Sequence, residues 1–334
     1  MAKENEVNCT EMKRGSWLTY RPDIKVLDCT IRDGGLVNNF YFKDEFVKAV
    51  YHTLIEMNVD YMEIGKIVNE KALAPSKYGI WNYCKEEDIR RVIGDNEDTD
   101  LKIAVMADIG RTFKDDIRPK DESIVDMVRV ACYIHQIPAA LELIEDAHKK
   151  GYETTCNLMA VSKCSKDDIK EALRLIVDSP VDVVYLVDSF GSYYSEQIRD
   201  LTRIYLEIAE AKGKVVGYHG HNNQQLAYAN TVETLICGTS YLDATIGGLG
   251  RGAGNCPLEL LIGFLKNPKY HIVPLLKFIQ DYIVPLQKEI HWGYDIAYML
   301  TGQLNEHPRS AIKFIDEKGT DYVDFFNSLC DVQE

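Results

Sequence analysis

Short, β-branched apolar runs alternate with longer stretches of helical period along most of this chain. Eight runs read as strands: 24–30 (IKVLDCT), 60–64 (DYMEI), 102–107 (KIAVMA), 126–132 (DMVRVAC), 152–160 (YETTCNLMA), 182–188 (DVVYLVD), 215–220 (VVGYHG) and 241–246 (YLDATI). Near-continuous apolar character in so few residues suits a parallel strand covered by helices. Helices are predicted between them. Over 195–212, Ile198, Leu201, Ile204, Tyr205 and Ile208 recur at three- and four-residue steps, and Gly213 ends the stripe where positive φ is easy. Over 166–178, Ser165 and Asp168 resemble a capping box ahead of Ile169, Ala172, Leu173 and Ile176. Helix 44–57 opens on Asp44 and Glu45, which suit a positive helix start, and helix 225–237 ends at Gly238.

Eight strands alternating with helices are the count that closes one α/β fold, the TIM (β/α)8 barrel. An open doubly wound sheet is the competitor, and it would usually carry G-x-G-x-x-G after its first strand. Here that turn reads R-D-G-G-L-V. The pattern therefore predicts a barrel over 24–266, followed by a helical C-terminal extension over 267–334 packed upon it. With 334 residues, 46% of them apolar, a large core is available and disorder is excluded. The formal net charge of −14 repels phosphate backbones and anionic lipid, so neither nucleic acid nor membrane is an expected partner. No apolar run is long enough for a membrane span, and the first twenty residues lack a signal-peptide core. The nine cysteines, at 9, 29, 84, 132, 156, 164, 237, 256 and 330, include no CxxC. They read as reduced, largely buried thiols of a cytoplasmic protein.

Barrel chemistry gathers at the C-terminal strand ends. Those ends carry Arg32 and Asp33, Glu63, Asp108, Asn157, Asp188, His219 with His221, and the run G247-G-L-G-R-G-A-G-N255. Residues two apart on a strand share a face, so His219 and His221 can aim at one point, with Gly220 removing bulk between them. Two imidazoles and a carboxylate make a divalent-metal site, and Asp33 is the carboxylate expected to join them because the first strand of a closed barrel adjoins the eighth. The alternative is a hydrogen-bonded strand end. Arg32 beside such a site suits a developing oxyanion, or else a structural ion pair with Asp33, and the glycines after it would let backbone approach a ligand. The run 247–254 fits either a phosphate cradle or a tight turn before a helix from Pro257, capped by Asn255.

Together, D28-C-T-I-R-D-G34, H219-G-H-N222 and G247-G-L-G-R-G-A-G-N255 resemble the pyruvate carboxyltransferase-domain superfamily over roughly 24–266. Its members include 3-hydroxy-3-methylglutaryl-CoA lyase, the isopropylmalate and homocitrate synthases, and 4-hydroxy-2-oxovalerate aldolase. G248-L-G-R-G-A-G-N-C-P-L-E259 is most similar to the aldolase branch, since the lyases carry a longer loop with a catalytic cysteine. The resemblance implies Mn²⁺ or Mg²⁺, with Zn²⁺ as the alternative, held by Asp33, His219, His221 and, as fourth ligand, Asn255. It implies a 2-oxo acid substrate chelated through its keto and carboxylate oxygens, with Arg32 stabilising a pyruvate enolate and the metal acting as Lewis acid. G293-Y-D-I-A-Y298 resembles the segment that supplies an active-site tyrosine, which places that role on Tyr294. Glu63, Asn157 and Asp188 are the expected substrate-binding residues, bracing of the mouth being the other reading of the last two.

One departure matters. The aldolase branch has its histidine base where this chain has Leu36, which cannot move a proton. The task then falls to Tyr294, to His307 from L304-N-E-H-P-R309, or to a metal-bound hydroxide, or else the substrate differs. The rival readings are a Claisen-type synthase or lyase joining acyl-CoA to a 2-oxo acid, and a barrel that keeps its metal as a non-catalytic binding protein. A homodimer and an aldehyde dehydrogenase that receives the product are the partners the resemblance implies.

Overall fold

The computed structural model describes residues 21–331, so Cys9 and the expectation of no signal-peptide core lie outside the described residues, as does the end of the extension at 332–334. Each of the eight predicted runs holds a parallel strand: β1 (Lys25–Asp28), β2 (Tyr61–Lys66), β3 (Lys102–Asp108), β4 (Met127–Cys132), β5 (Glu153–Leu158), β6 (Val183–Asp188), β7 (Val215–Gly220) and β8 (Tyr241–Ala244). They pair in chain order and β8 closes on β1, giving a TIM barrel. Alternation along each strand sorts the side chains. Val26, Val105, Val128, Val184, Val216 and Leu242 face out and share one core with Leu54, Ile144, Leu173, Tyr205 and Leu235 of the surrounding helices. Leu27, Cys29, Tyr61, Ala104 and Met127, and across from them Val183, Tyr185 and Val187, fill the inside.

β1 stops two residues early. The Asp28 carboxylate accepts the Thr30 amide at 3.0 Å and the Thr30 hydroxyl at 2.6 Å, a local turn that sends the chain into helix α1 (Thr30–Asn38). Arg32 and Asp33 therefore sit in the first turn of a helix, not on a strand end. Gly34 and Gly35 make room for protein rather than for ligand, because a Cβ on Gly34 would lie 2.7 Å from Leu249 and one on Gly35 2.2 Å from the Phe40 ring.

The predicted helices form as α2 (Asp44–Glu56), α5 (Lys166–Val177), α6 (Ser195–Glu210) and α7 (Ala227–Cys237), joined by α3 (Glu86–Ile93) and α4 (Ile137–Lys149). Gly213 follows α6 at φ +69. Half of the predicted capping box is present: Ser165 Oγ accepts the Asp168 amide, but the Asp168 carboxylate takes the Ser165 hydroxyl at 2.6 Å instead of reaching back to backbone.

β2 carries a bulge. Glu63 pairs with Ala104 and Lys66 with Met106, so three residues of β2 span two of β3 and both Glu63 and Lys66 point inward. Gly65 makes this fit, since a Cβ there would meet the Trp81 carbonyl oxygen at 2.1 Å.

Beyond α8 (Leu258–Leu265) the chain continues through α9 (Ile272–Phe278), a π-type turn at Ile279–Ile283, and helices α10 (Ile296–Gln303), α11 (Arg309–Asp316) and α12 (Tyr322–Asp331). Ala297, Tyr298, Ala311, Phe325 and Leu329 of the last three helices build a small core around Ala253 of the loop after β8. Asn305 donates to the Ser162 carbonyl at 2.9 Å and accepts from Ser192 at 3.0 Å, which ties the extension to the loops after β5 and β6. No helix among the described residues is long and apolar enough to cross a membrane.

Gly65→Ala should destabilise the fold by about 1–3 kcal/mol, because the added methyl meets backbone that cannot turn aside. Urea denaturation monitored by circular dichroism measures it, with the midpoint expected to fall at an unchanged slope.

Candidate metal centre and active site

β7 ends inside the barrel mouth, and its parity points His219 and His221 to one side. Their rings lie 5.2 Å apart at 81°. Gly220 faces the opposite way: a Cβ there would sit 2.6 Å from the Tyr218 hydroxyl, so it spares Tyr218 on the outer face and not the imidazoles. Helix α1 delivers Asp33 across the mouth. The ligand atoms of Asp33, His219 and His221 all fall within 4.8 Å of one another, and all three residues are buried. Small divalent ions bind such atoms at about 2.0–2.2 Å, so the three are near bonding reach of one cation.

The pattern of unmet lone pairs fits a cation. Asp33 Oδ2 accepts from Asn255 Nδ2 at 2.8 Å and lies 3.0 Å from Arg32 Nη1. His219 Nε2 stands 3.0 Å from the same oxygen without hydrogen-bond alignment. Asp33 Oδ1, His219 Nε2, His221 Nδ1 and Asn255 Oδ1 are all buried with no hydrogen-bond partner. Four orphaned acceptor-type atoms on these neighbouring residues would be costly unless something positive completes them. His219 Nδ1 is engaged by Asp243 at 2.9 Å, which fixes the tautomer that leaves Nε2 free for a metal.

Beneath the mouth runs a closed ring of charges. Asp243 meets Arg129 Nη2 at 2.5 Å, Arg129 Nη1 meets Glu63 Oε2 at 2.8 Å, and the same Glu63 oxygen meets Arg32 Nε at 2.6 Å. Arg32 and Asp33 complete the circuit through His219. Arg129 is wholly buried and lies 4.5 Å over the Tyr185 ring. Burial alone would raise the Asp33 carboxyl, but Arg32 and the two histidines outweigh it and hold the group well below the carboxylate range. Burial likewise depresses His219, yet its hydrogen bond to Asp243 and the Asp33 carboxylate beside it win and raise it. His221 is held well below the imidazole range, chiefly by burial.

The mouth is a cavity of about 500 Å³ lined by Arg32, Asp33, Leu36, Asn157, His219 and His221 among others. Asn157 Oδ1 accepts from Thr155 at 2.6 Å, which leaves its amide N–H groups for the mouth. Three expected site residues are not brought there. Tyr294 is 59% exposed and outside the lining, in the connection before α10. Glu63 points inward but one layer too deep, spent on Arg32 and Arg129. Asp188 has the outward parity of Val184 and Leu186; it accepts the Ser192 and Tyr193 amides, and burial pushes its pKa up to about 7.

The glycine loop also resolves. Gly247 donates to Glu259, Gly248 to Thr245 and Asn255 to Gly248, so these amides are not presented as a phosphate cradle. Asn255 turns to Asp33 and does not cap α8.

Sequence reasoning missed several groups. Arg129 and Asp243 stand mid-strand in otherwise apolar runs, a signal that could have marked them, since such charges are buried only when paired. Lys66 fell beyond the predicted end of β2; it lines the mouth and holds Asp108 at 2.8 Å. Arg251 and Arg111 also line the mouth. His307, named from the sequence as one candidate for the base, is brought to the same lining, where its Nδ1 accepts the Arg309 amide at 3.1 Å.

Arg129→Met should cost about 3–5 kcal/mol of stability, because Glu63 and Asp243 would remain buried without their cation; chemical denaturation of the metal-free protein measures this. Since His219 binds its proton more tightly than a free imidazole, Mn²⁺ must displace that proton as pH falls, and affinity should decline from pH 8 to pH 6. Asp243→Asn should weaken Mn²⁺ binding about 10–100-fold. It should also flatten that decline, because losing Asp243 lowers the His219 pKa; titration calorimetry across pH reads both effects.

A family model described as HMGL-like matches residues 23–280. An oxaloacetate decarboxylase from Mycobacterium tuberculosis is 31% identical over 250 residues, covering 75% of this chain and 71% of that protein. A 4-hydroxy-2-oxovalerate aldolase from Pelotomaculum thermopropionicum is 30% identical over 262 residues, covering 78% and 75%. Among solved structures, the N-terminal domain of a candidate aldolase from Bacteroides vulgatus superposes with a TM-score of 0.74 at 27% identity, covering 87% of this chain and 96% of that one. Hydroxymethylglutaryl-CoA lyase from Pseudomonas aeruginosa shares the fold, with a TM-score of 0.62 at 20% identity over 82% of this chain and 96% of its own. The chain belongs to the HMGL-like family and is a metal-dependent carbon–carbon lyase of the aldolase kind.

Proposed function

We propose that the protein splits a 4-hydroxy-2-oxo acid into pyruvate and an aldehyde, or joins them, at a site held by Asp33, His219, His221 and Asn255. The observation that carries this reading is the cluster of Asp33, His219 and His221, whose ligand atoms lie within 4.8 Å of one another beside Arg32, with buried acceptor atoms left without a partner on all three and on Asn255. Mn²⁺ or Mg²⁺, with Zn²⁺ as the alternative, would supply Lewis-acid polarisation of the substrate's keto oxygen there. Cleavage removes the proton from the C4 hydroxyl, breaks the C3–C4 bond and leaves its electron pair on an enolate, which C3 protonation converts to pyruvate. Arg32 is placed to stabilise that enolate, because Glu63 and Asp33 fix its guanidinium while Nη2 is buried with no partner. The free amide of Asn157 suits the substrate carboxylate. The barrel over 24–266 carries this chemistry, and the extension over 267–334 completes the mouth with His307, Arg309 and Ile312. The reactive aldehyde product gives a chemical reason for a dehydrogenase partner. A cytoplasmic homodimer belongs to the same reading, and the thiols of Cys29, Cys84, Cys132, Cys156 and Cys256, buried in the core, suit a reducing compartment.

A second reading is decarboxylation of a 2-oxo acid that carries a carboxylate on C3, which breaks the bond from C3 to that carboxylate and leaves CO₂ and the same enolate. It is favoured by Leu36 lining the mouth, by the exposed position of Tyr294, and by the engagement of His307 Nδ1 with the Arg309 amide. Release of CO₂ needs no hydroxyl proton to be removed, and the Mycobacterium tuberculosis relative is named for that activity on oxaloacetate.

Pyruvate release from a panel of 4-hydroxy-2-oxo acids and from oxaloacetate, with Mn²⁺ present, tests both. EDTA should abolish turnover and Mn²⁺ restore it, and Asp33→Asn or His219→Ala should lower kcat/KM by roughly 10³-fold. Indifference to both substitutions and to EDTA would remove the proposal. A kcat/KM for oxaloacetate above that of every hydroxy acid would select decarboxylation.

A further inference from the structure

The lining of the mouth holds five cations, Arg32, Lys66, Arg111, Arg251 and Arg309, against two carboxylates, Asp33 and Asp108. On a chain whose net charge is −14 this is a local inversion. The excess is not spread evenly. On the wall formed by β2 and β3, Asp108 binds Lys66 at 2.8 Å and lies 3.6 Å from Arg111. On the opposite wall, Arg251 of the loop after β8 meets His307 of the extension, which in turn contacts the Arg309 amide. Among the described residues, neither Arg251 nor Arg309 has a carboxylate within ion-pair distance.

Arg251 is poorly satisfied where it stands. Nη2 donates to the Ser189 carbonyl at 2.8 Å and lies 3.5 Å from His221 Nε2, while Nε is buried with no partner. Nη1 faces His307 Nε2 at 3.3 Å, and His307 Nδ1 faces the Arg309 amide at 3.1 Å. A neutral imidazole has one in-plane lone pair, so whichever nitrogen carries the hydrogen, one N–H of His307 is aimed at another donor. With Nδ1 accepting from Arg309, Nε2–H and Arg251 Nη1–H converge on the mouth. Burial and the two neighbouring guanidiniums hold His307 down at about 3, so the ring stays neutral. Two converging donors beside two uncompensated guanidiniums lack only a negatively charged oxygen.

We infer that Arg251, His307 and Arg309 form an anion subsite, and that the half of the substrate leaving as the aldehyde carries a carboxylate or a phosphate. This rests on the aldolase reading for its chemistry, though the subsite itself can be tested by binding alone. The shared requirement is an anionic oxygen cluster within reach of a planar guanidinium, which Arg meets with paired donors.

The metal-free full chain is titrated with inorganic phosphate and, separately, with succinate, by calorimetry. Wild type should bind one of them, and whichever binds more tightly identifies the group. Arg309→Met should weaken that binding at least tenfold, Arg309→Lys should restore part of it, and Arg251→Met should abolish it. Arg309 is exposed, so its variant should fold as wild type does, and a thermal melt checks this. With Mn²⁺, condensation of pyruvate with succinic semialdehyde or glyceraldehyde 3-phosphate should exceed that with butanal at least tenfold in kcat/KM, and Arg309→Met should collapse the ratio towards one. Exchange of pyruvate methyl protons with deuterated water reports enolate formation without any aldehyde. Exchange without anion preference, or anion affinity indifferent to Arg309→Met, overturns the subsite. Absent exchange with anion binding intact overturns the aldolase reading and leaves the subsite standing.

Discussion

Everything at the mouth hangs from one guanidinium that never touches it. Arg129 lies in the closed interior of the barrel, and each of its two terminal nitrogens holds a carboxylate. Glu63 passes that constraint to Arg32, and Asp243 passes it to His219. The two arms meet again at Asp33. A buried cation with two carboxylates is an expensive arrangement unless each charge is met, and here the pairs alternate in sign around a ring. The gain is geometric: Arg32 and His219, the groups proposed to face the enolate and the cation, are oriented by the same support.

That support explains which parts of the molecule could be read from the chain. The strand runs were legible because burial on both faces makes them continuously apolar, and their order and closure follow from alternation with helices. His219 and His221 were legible because parity on a strand is a strong rule. The same rule, carried one strand further, separates Asn157 from Asp188: the first has inward parity, whereas the second shares the outward parity of Leu186 and is used to brace its own loop. The signal was present, but it needed a register between strands that a single sequence does not supply. Arg32 and Asp33 were identified as residues and misplaced as structure, because their helix begins within the motif itself and reads as a turn. Tyr294 rested on resemblance in a connecting segment, where neither periodicity nor parity constrains a side chain.

The extension shows how a fixed interior can serve a variable rim. Its last helices pack on Ala253, so the loop that carries Arg251 and Asn255 is gripped from both sides. Asn255 faces inward to Asp33, and Arg251 faces the extension. One loop therefore joins the proposed metal site to the proposed anion subsite. The charge inversion at the mouth arises largely from residues outside the barrel strands, where loops change without disturbing the core.

The bulge in β2 has a consequence of its own for how one strand can serve two levels of the barrel. A regular strand advances its inward side chains in equal steps, so the position above Glu63 would belong to Gly65, which has nothing to offer. With one residue looped out, the next inward place falls to Lys66, and a single strand supplies an acid to the floor and a base-type cation to the rim. The glycine that permits the kink is thus a vertical gear between the scaffold and its opening.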